Sequence, residues 1–570
     1  NRCELKLSRA NWTGKEPQWG ETYSQTDNQI SRGSAPYTAP TPKVCSNIGE
    51  DGLINGKESM VYYAGWAIYT NGRKHYPKDL DGCNLTGVLF AFAYPGPDGG
   101  LYIGDGWGYG VMKIGTNTEI PESSRYADDH SLGFYGVFNQ LAQFKKEYPH
   151  VKVYLSIGGW TWKTYMFKTF DDEEARKRFV DTTIEFIRTY KIFDGVDIDW
   201  EFPATAKDRT NFNIVLDELR VGLDDAVADP QPGYEFKNQT DTSAYVPRGG
   251  RFTLSVAIAP GAVKLAEFMD LQHINSVVDF VIYMAYDYAG TWNDYTAHQS
   301  PLYDSTLNEE TGPYLTVGDS TDIYLLGEKN VNNPSGFNDT GFSSEKLILG
   351  LPYYGRGWVT DKGDTPYQYL GAKLPSNGTW ESGVIDFKAL KSTILSNRDS
   401  WTLLYDPVAV ATTAYGKYKG QNAIWSYDDE RVICKKMAFA KEKNLGGVFA
   451  WESNGDDGSL HAEVVQGLTG EVDCDALYPD SNYDIIFKNE EGIYSKPEAV
   501  KLVASGAATA ANGGHNVVTG GTESYPDIDE LPQDTTLIED AVKIIEALTE
   551  EETQAVQELI DQIEFDPSVM

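Results

Sequence analysis

The chain is short of cysteine, histidine and positive charge, and each shortage narrows what it can be. Its five cysteines (Cys3, Cys45, Cys83, Cys434, Cys474) are scattered among 570 residues without a close CxxC pair, which excludes a zinc finger or a dense disulfide scaffold. At most a Cys3–Cys45 bridge is expected, and Cys83 and Cys434, each inside an apolar element, read as buried thiols. Only seven histidines are present, and no cofactor or metal site is expected. Basic residues number 48 against 84 acidic, a net charge of −36, which repels phosphate backbones and anionic lipid and so argues against nucleic-acid and membrane-surface partners. The longest apolar runs, such as Val277 to Tyr286, stop well short of the roughly 20 residues that cross a bilayer. No charged n-region followed by an apolar h-region is visible, so a signal peptide either was removed or export takes another route.

Aromatics, by contrast, are abundant: 13% of the chain, with 36 Tyr and 13 Trp. Such side chains join a flat apolar face to a polar tip and suit hydroxylated ligands such as sugars. Residues 1–57, rich in Ser, Thr, Pro, Gly and Asn, read as an irregular extension. Beyond them, short β-branched and aromatic runs alternate with helical stretches. The strands expected are Met60–Tyr69, Thr86–Tyr94, Val151–Ile157, Gly195–Phe202, Phe252–Ala259, Phe280–Asp287, Lys346–Tyr353 and Gly446–Trp451. The clearest helices are Glu173–Tyr190 and Arg209–Val227. Eight strands in this rhythm predict an α/β chain folded as a (β/α)8 TIM barrel over 58–470. Between strands seven and eight lie about 90 residues where one helix would suffice, so a small α+β insertion is expected over 359–441, forming a cleft wall. Its pieces are Thr402–Tyr405, Ala423–Tyr427 and a helix at Phe387–Asn397. Residues 471–522 read as a linker. The end, 523–570, carries two capping boxes, Thr536-Leu-Ile-Glu539 and Thr549-Glu-Glu-Glu552, each followed by apolar residues at helical spacing, and predicts an acidic helical hairpin tail.

The sharpest signal is Phe193-Asp-Gly-Val-Asp-Ile-Asp-Trp-Glu201. Residues two apart on a strand share a face, so Asp197, Asp199 and Glu201 are expected to project together into the barrel, about 6–7 Å apart along the backbone. Like charges so close raise one or more pKa values, and the set should keep a proton near neutrality, the state a general acid needs. Glu201 lies nearest the strand's C-terminal end, where barrel active sites sit. The alternatives are an exposed acidic edge strand or a divalent-metal site. The flanking Val196, Ile198 and Trp200 speak against the first, and the want of a His or Asn cluster against the second.

This stretch resembles the DGxDxDWE signature of glycoside hydrolase family 18 chitinases. Ser156-Ile-Gly-Gly-Trp160, Met284-Ala-Tyr-Asp287, Tyr354-Gly-Arg356 and Gly446-Gly-Val-Phe-Ala-Trp451 resemble, in the family's order, its other strand motifs. The resemblance spans about Met60 to Gly470, and the insertion is similar to that of bacterial-type chitinases. It implies hydrolysis of chitin by a substrate-assisted retaining mechanism, with Glu201 as acid and base, Asp199 and Asp197 beside it, and Tyr286 on the acetamido oxygen. Asp287 and Met284, of the same motif, are implied to bind sugar, Asp287 on the leaving-group side, while Tyr354 and Arg356 line the other end. Tyr62, Trp66, Trp160, Trp380 and Trp451 match positions where relatives stack sugar rings. Three other readings stay open: an endo-β-N-acetylglucosaminidase on N-glycans, a chitin-binding lectin on an inactive barrel, and a structural subunit of a larger toxin-type complex. The localisation expected is extracellular, and the N-terminal extension or acidic tail is expected to meet a protein partner. Five Asn-x-Ser/Thr sites (Asn11, Asn84, Asn238, Asn338, Asn377) bear on a eukaryotic secretory host.

Overall fold

The computed structural model describes residues 5–7, 37–69, 73–162, 164–236, 239–260, 268–293, 295–305, 316–326, 341–359, 375–485, 487–489 and 492–494. The chain divides into two compact units, Asn1–Ala499 and Val500–Met570. The expected hairpin tail lies outside the described residues.

Eight parallel strands close into a barrel: β1 (Glu58–Ala64), β2 (Gly87–Pro95), β3 (Lys152–Gly158), β4 (Gly195–Asp199), β5 (Thr253–Ile258), β6 (Phe280–Tyr283), β7 (Leu347–Pro352) and β8 (Gly447–Trp451). Each pairs with the next in sequence and β8 pairs back onto β1. Strands buried on both faces read as near-continuous apolar runs, which is why these segments stand out in the sequence. Outside them run α1 (Gly136–Glu147), α2 (Glu173–Tyr190), α3 (Ala206–Ala228), α4 (Leu271–Val277), α5 (Val317–Leu326), α6 (Glu430–Glu442) and α7 (Ser459–Thr469). Side-chain caps fix where the two longest begin: Asp172 accepts from Ala175 N at α2, and Thr205 from Asp208 N at α3.

Several strands end sooner than the apolar runs do. β1 gives way at Gly65 to a 3₁₀ turn, β4 stops at Asp199 and β6 at Tyr283, so Glu201, Tyr286 and Asp287 stand on the turns that leave the barrel and not on the strands. After β7, strand Tyr354–Val359 opens an antiparallel sheet with Val384–Asp386, Gln421–Tyr427, Ala411–Tyr418 and Trp401–Asp406, flanked by the helix Phe387–Ser396. This sheet spans Tyr354 to Tyr427, whereas α6 lies against α7 and belongs to the barrel's outer ring.

The cysteines pair differently from expectation. Cys45 bonds Cys83, not Cys3, and Cys434, expected as a free buried thiol, bonds Cys474. The first bridge follows from Tyr37 and Lys43 lying on α1, where Lys43 N donates to Glu147 O at 2.7 Å and Tyr37 OH to Gln143 Oε1 at 2.8 Å, and from Asn47 Nδ2 donating to Asn84 Oδ1 at 3.0 Å beside Cys83. The second bolts down a segment read as linker: Cys474–Leu477 is a helical turn, and Asp484–Ile485 adds a parallel strand beside Trp401–Asp406.

Candidate active site

β4 sets the centre. Its register places Ser156 of β3 and Ser255 of β5 on either side of Asp197. Both serines donate to it at 2.8 Å, and Tyr62 OH of β1 donates at 2.9 Å, so Asp197 is fully buried yet satisfied. Burial raises its carboxyl against those three donors. Asp199 is also buried, but its Oδ1 accepts no hydrogen bond among the described residues. Burial first, then the charges of Glu201 and Asp197, push it well above the carboxylate range. Burial and the nearby Asp287 push Glu201 up to about 8. The row therefore keeps protons at neutral pH. The glycine that ends β3 permits this crowding: Gly158 has φ +128, and a Cβ there would sit 2.0 Å from Asp199 O. The motif's first acid does different work. Asp194 accepts from Val153 N at 2.9 Å and pairs with Lys145 at 2.6 Å, anchoring the start of β4; burial alone would raise its carboxyl, and Lys145 brings it below its usual value.

At the end of β6 the chain turns through Asp287, whose φ of +61 is left-handed. Its two oxygens accept from Arg356 Nε (2.8 Å) and the Arg356 guanidinium (2.6 Å), and Oδ1 also from Tyr354 OH at 2.7 Å. Tyr354 and Arg356 thus stand at Asp287's end of the site, not the other, because the insertion's first strand starts directly above β7, beside β6. Tyr286 is buried beside them, its ring 6.0 Å from that of Tyr354; burial and then the charge of Asp199 push its hydroxyl well above the usual range, so it is a donor at any working pH.

The glycosyl hydrolases family 18 model matches residues 58–456, which takes in the eight barrel strands, the insertion sheet and every site residue just described. The chain belongs to glycosyl hydrolase family 18. It is similar to Chitinase 1 of Aphanocladium album, 31% identical over 462 residues that cover 79% of this chain and 95% of that one. It is also similar to the chitinase of Autographa californica nuclear polyhedrosis virus, 31% identical with 74% of each covered. Among solved structures, the catalytic domain of psychrophilic chitinase B from Arthrobacter TAD20 matches with TM-score 0.59 and 26% identity, over 73% of this chain and 96% of that one.

Around the family 18 carboxylates the aromatics differ in exposure and in what they touch. Tyr62 is only 2% exposed and points its hydroxyl at Asp197, so it supports the floor and offers no open face, contrary to the stacking role expected of it. Trp451 lies beside it, its ring 5.2 Å from Tyr62 and stacked on Phe92 at 5.8 Å. Trp66 continues that row 6.1 Å beyond Phe92. Trp380, on the insertion, donates from Nε1 to Asp386 at 2.9 Å. Trp160 is 64% exposed, while Met284 packs half-buried against the barrel interior. Trp200, which alternation turns outward, is buried between the barrel and its helices, stacked on Phe167 at 4.9 Å, and takes no part in the cleft. The sequence reading missed Phe92, hidden in an apolar run, and Trp292, 58% exposed in an aperiodic loop with Arg356 over its ring at 5.1 Å. Only its place five residues after Asp287 could have flagged Trp292. Among the described residues no group of three His, Cys, Asp or Glu could hold a metal ion.

Proposed function

We propose that this chain is a chitinase that hydrolyses β-1,4 linkages between N-acetylglucosamine units with retention of configuration, the substrate's own acetamido group acting as nucleophile. The observation that carries this reading is Asp199 Oδ1, a buried acceptor with no donor among the described residues, which suits the acetamido N–H of a bound sugar. Glu201, pushed up to about 8, holds the proton for the glycosidic oxygen. As that C1–O bond breaks, the acetamido oxygen bonds to C1 and the positive charge falls on the oxazolinium ring, facing Asp199. Glu201, now ionised, takes a proton from water as it attacks C1, and the ring reopens. Asp287, the other carboxylate at hand, is held on both oxygens by Arg356 and Tyr354, which makes it a poor nucleophile. The names of the relatives point to the same substrate.

Proton NMR on a defined N-acetylglucosamine hexamer tests this. The first product is the β-anomer, and fully deacetylated oligomers are not cut. An α-anomer appearing first, or equal rates on deacetylated chains, would overturn the acetamido nucleophile. The two disulfides also support export to an oxidising compartment, and the acidic tail suits a basic protein partner.

A further inference from the structure

We propose that Arg73 is a positioning residue that holds Trp66 of the barrel and Trp380 of the insertion at a fixed separation, so that long chains bind more tightly than short ones. The inference rests on the chitin-cleaving reading above. Arg73's guanidinium centre lies 5.8 Å from the Trp66 ring and 5.7 Å from the Trp380 ring, over both. Its NH1 is 2.6 Å from Oε1 of Glu452, with side-chain exposures of only 15% and 6%. Glu452 directly follows Trp451, the floor residue at the end of β8. One planar cation therefore joins the loop after β1, the end of β8 and the insertion wall.

The surroundings keep this arrangement fixed. Trp380 Nε1 donates to Asp386 Oδ2 at 2.9 Å, which also accepts from Asn454 Nδ2 at 3.4 Å, while Lys388 donates to Asn454 Oδ1 at 3.0 Å. Two indoles that face one guanidinium cannot collapse onto each other. Trp66 also begins a run of ring contacts that passes through Phe92, Trp451, Tyr62, Phe449 and Tyr286 to Tyr354, and Trp380 joins that end through Arg73. Asp287 and Trp292 stand at the opposite end, on Arg356. Only a chain that extends well past the carboxylates reaches the Trp66–Trp380 pair. Lysine would keep the charge near Glu452 but not the plane that lies on both rings.

The test is calorimetric affinity for the trimer and the hexamer of N-acetylglucosamine in a Glu201→Gln background, which keeps the hexamer intact. Arg73→Ala should weaken the hexamer about tenfold and the trimer less than about threefold, and Arg73→Lys should recover little of the loss. Because Arg73→Ala strands a buried carboxylate, Arg73→Ala/Glu452→Gln is made as well. It should regain melting temperature but not hexamer affinity. Equal losses at both lengths, recovery of the hexamer in the double variant, or tighter hexamer binding by Arg73→Ala would each overturn the proposal. Hexamer cleavage by the Glu201 enzyme is run alongside: no cleavage defeats the chitinase reading, whereas length-independent binding defeats this one.

Discussion

Asp197, Asp199 and Glu201 are spaced alike in sequence, and their surroundings make them different. Asp197 has three hydroxyl donors, Asp199 leaves an oxygen unpaired, and Glu201 stands past the strand end with its carboxyl up to about 8. Replacing Glu201 by Gln keeps the shape and removes the proton, so hydrolysis should fall by roughly 10³-fold or more while oligomer binding persists. A variant that keeps a tenth of the rate would defeat the assignment. The same raised pKa makes a stability prediction of definite sign. Between the unfolded carboxyl value near 4.5 and about 8, the native state binds the extra proton, so stability is full below that window and falls as pH rises through it. Melting curves from pH 5 to 9 should therefore fall more steeply for the wild type than for Glu201→Gln. Parallel slopes would mean that Glu201 is not perturbed in the fold.

At the scale of elements, the barrel was legible because parallel strands buried on both faces write long apolar runs, and α2 was read to the residue because Asp172 caps it and Lys191 ends it in a left-handed conformation. The ends of β1, β4 and β6 were not legible. There the apolar run continues into turns that carry Trp66, Glu201 and Asp287, and only the backbone's departure from the sheet marks the change. Tyr62 was misread because a match to the family's positions gives a residue's place but not what occupies its polar tip, here Asp197, whereas period two did turn Trp200 outward, under the helices. Aromatics on elements outside the barrel wall should then govern chain length more than chemistry. Trp292→Ala, in the loop after β6, should raise KM for the hexamer about tenfold by removing an exposed indole at the Asp287 end. Its kcat should stay within about threefold, since it touches none of the three acids. A large fall in kcat with KM unchanged would place Trp292 among the groups that act on the transition state.

On the whole-molecule scale the question is where the catalytic unit stops. Sequence composition puts a linker from 471, yet the segment up to 485 is held by the Cys434–Cys474 bridge and by Arg431. That guanidinium contacts Asp475 at 3.1 Å and Asp480 at 2.8 Å and lies 3.8 Å from the centre of the Tyr405 ring on the insertion. Disulfides and ion pairs between distant elements leave no periodic trace, which is why this boundary escaped the sequence. Past it, from Glu523 to Asp566, the chain carries fifteen acidic residues and one basic, Lys543, and the two short helices its capping boxes predict would alone bury too little surface to stabilise a fold. Two truncations separate a docking tail from a stabilising one. Ending the chain after Gly470 breaks the bridge, strands Arg431 and removes a strand from the insertion sheet, so melting should drop by about 5 °C or more. Ending it after Ala499 keeps all three. If the acidic segment serves a basic partner, this longer form should melt within about 2 °C of the full chain and cleave soluble oligomers at the same rate, losing only its retention on a polycationic column. A drop as large as that of the shorter form would instead make the tail part of the barrel's own support.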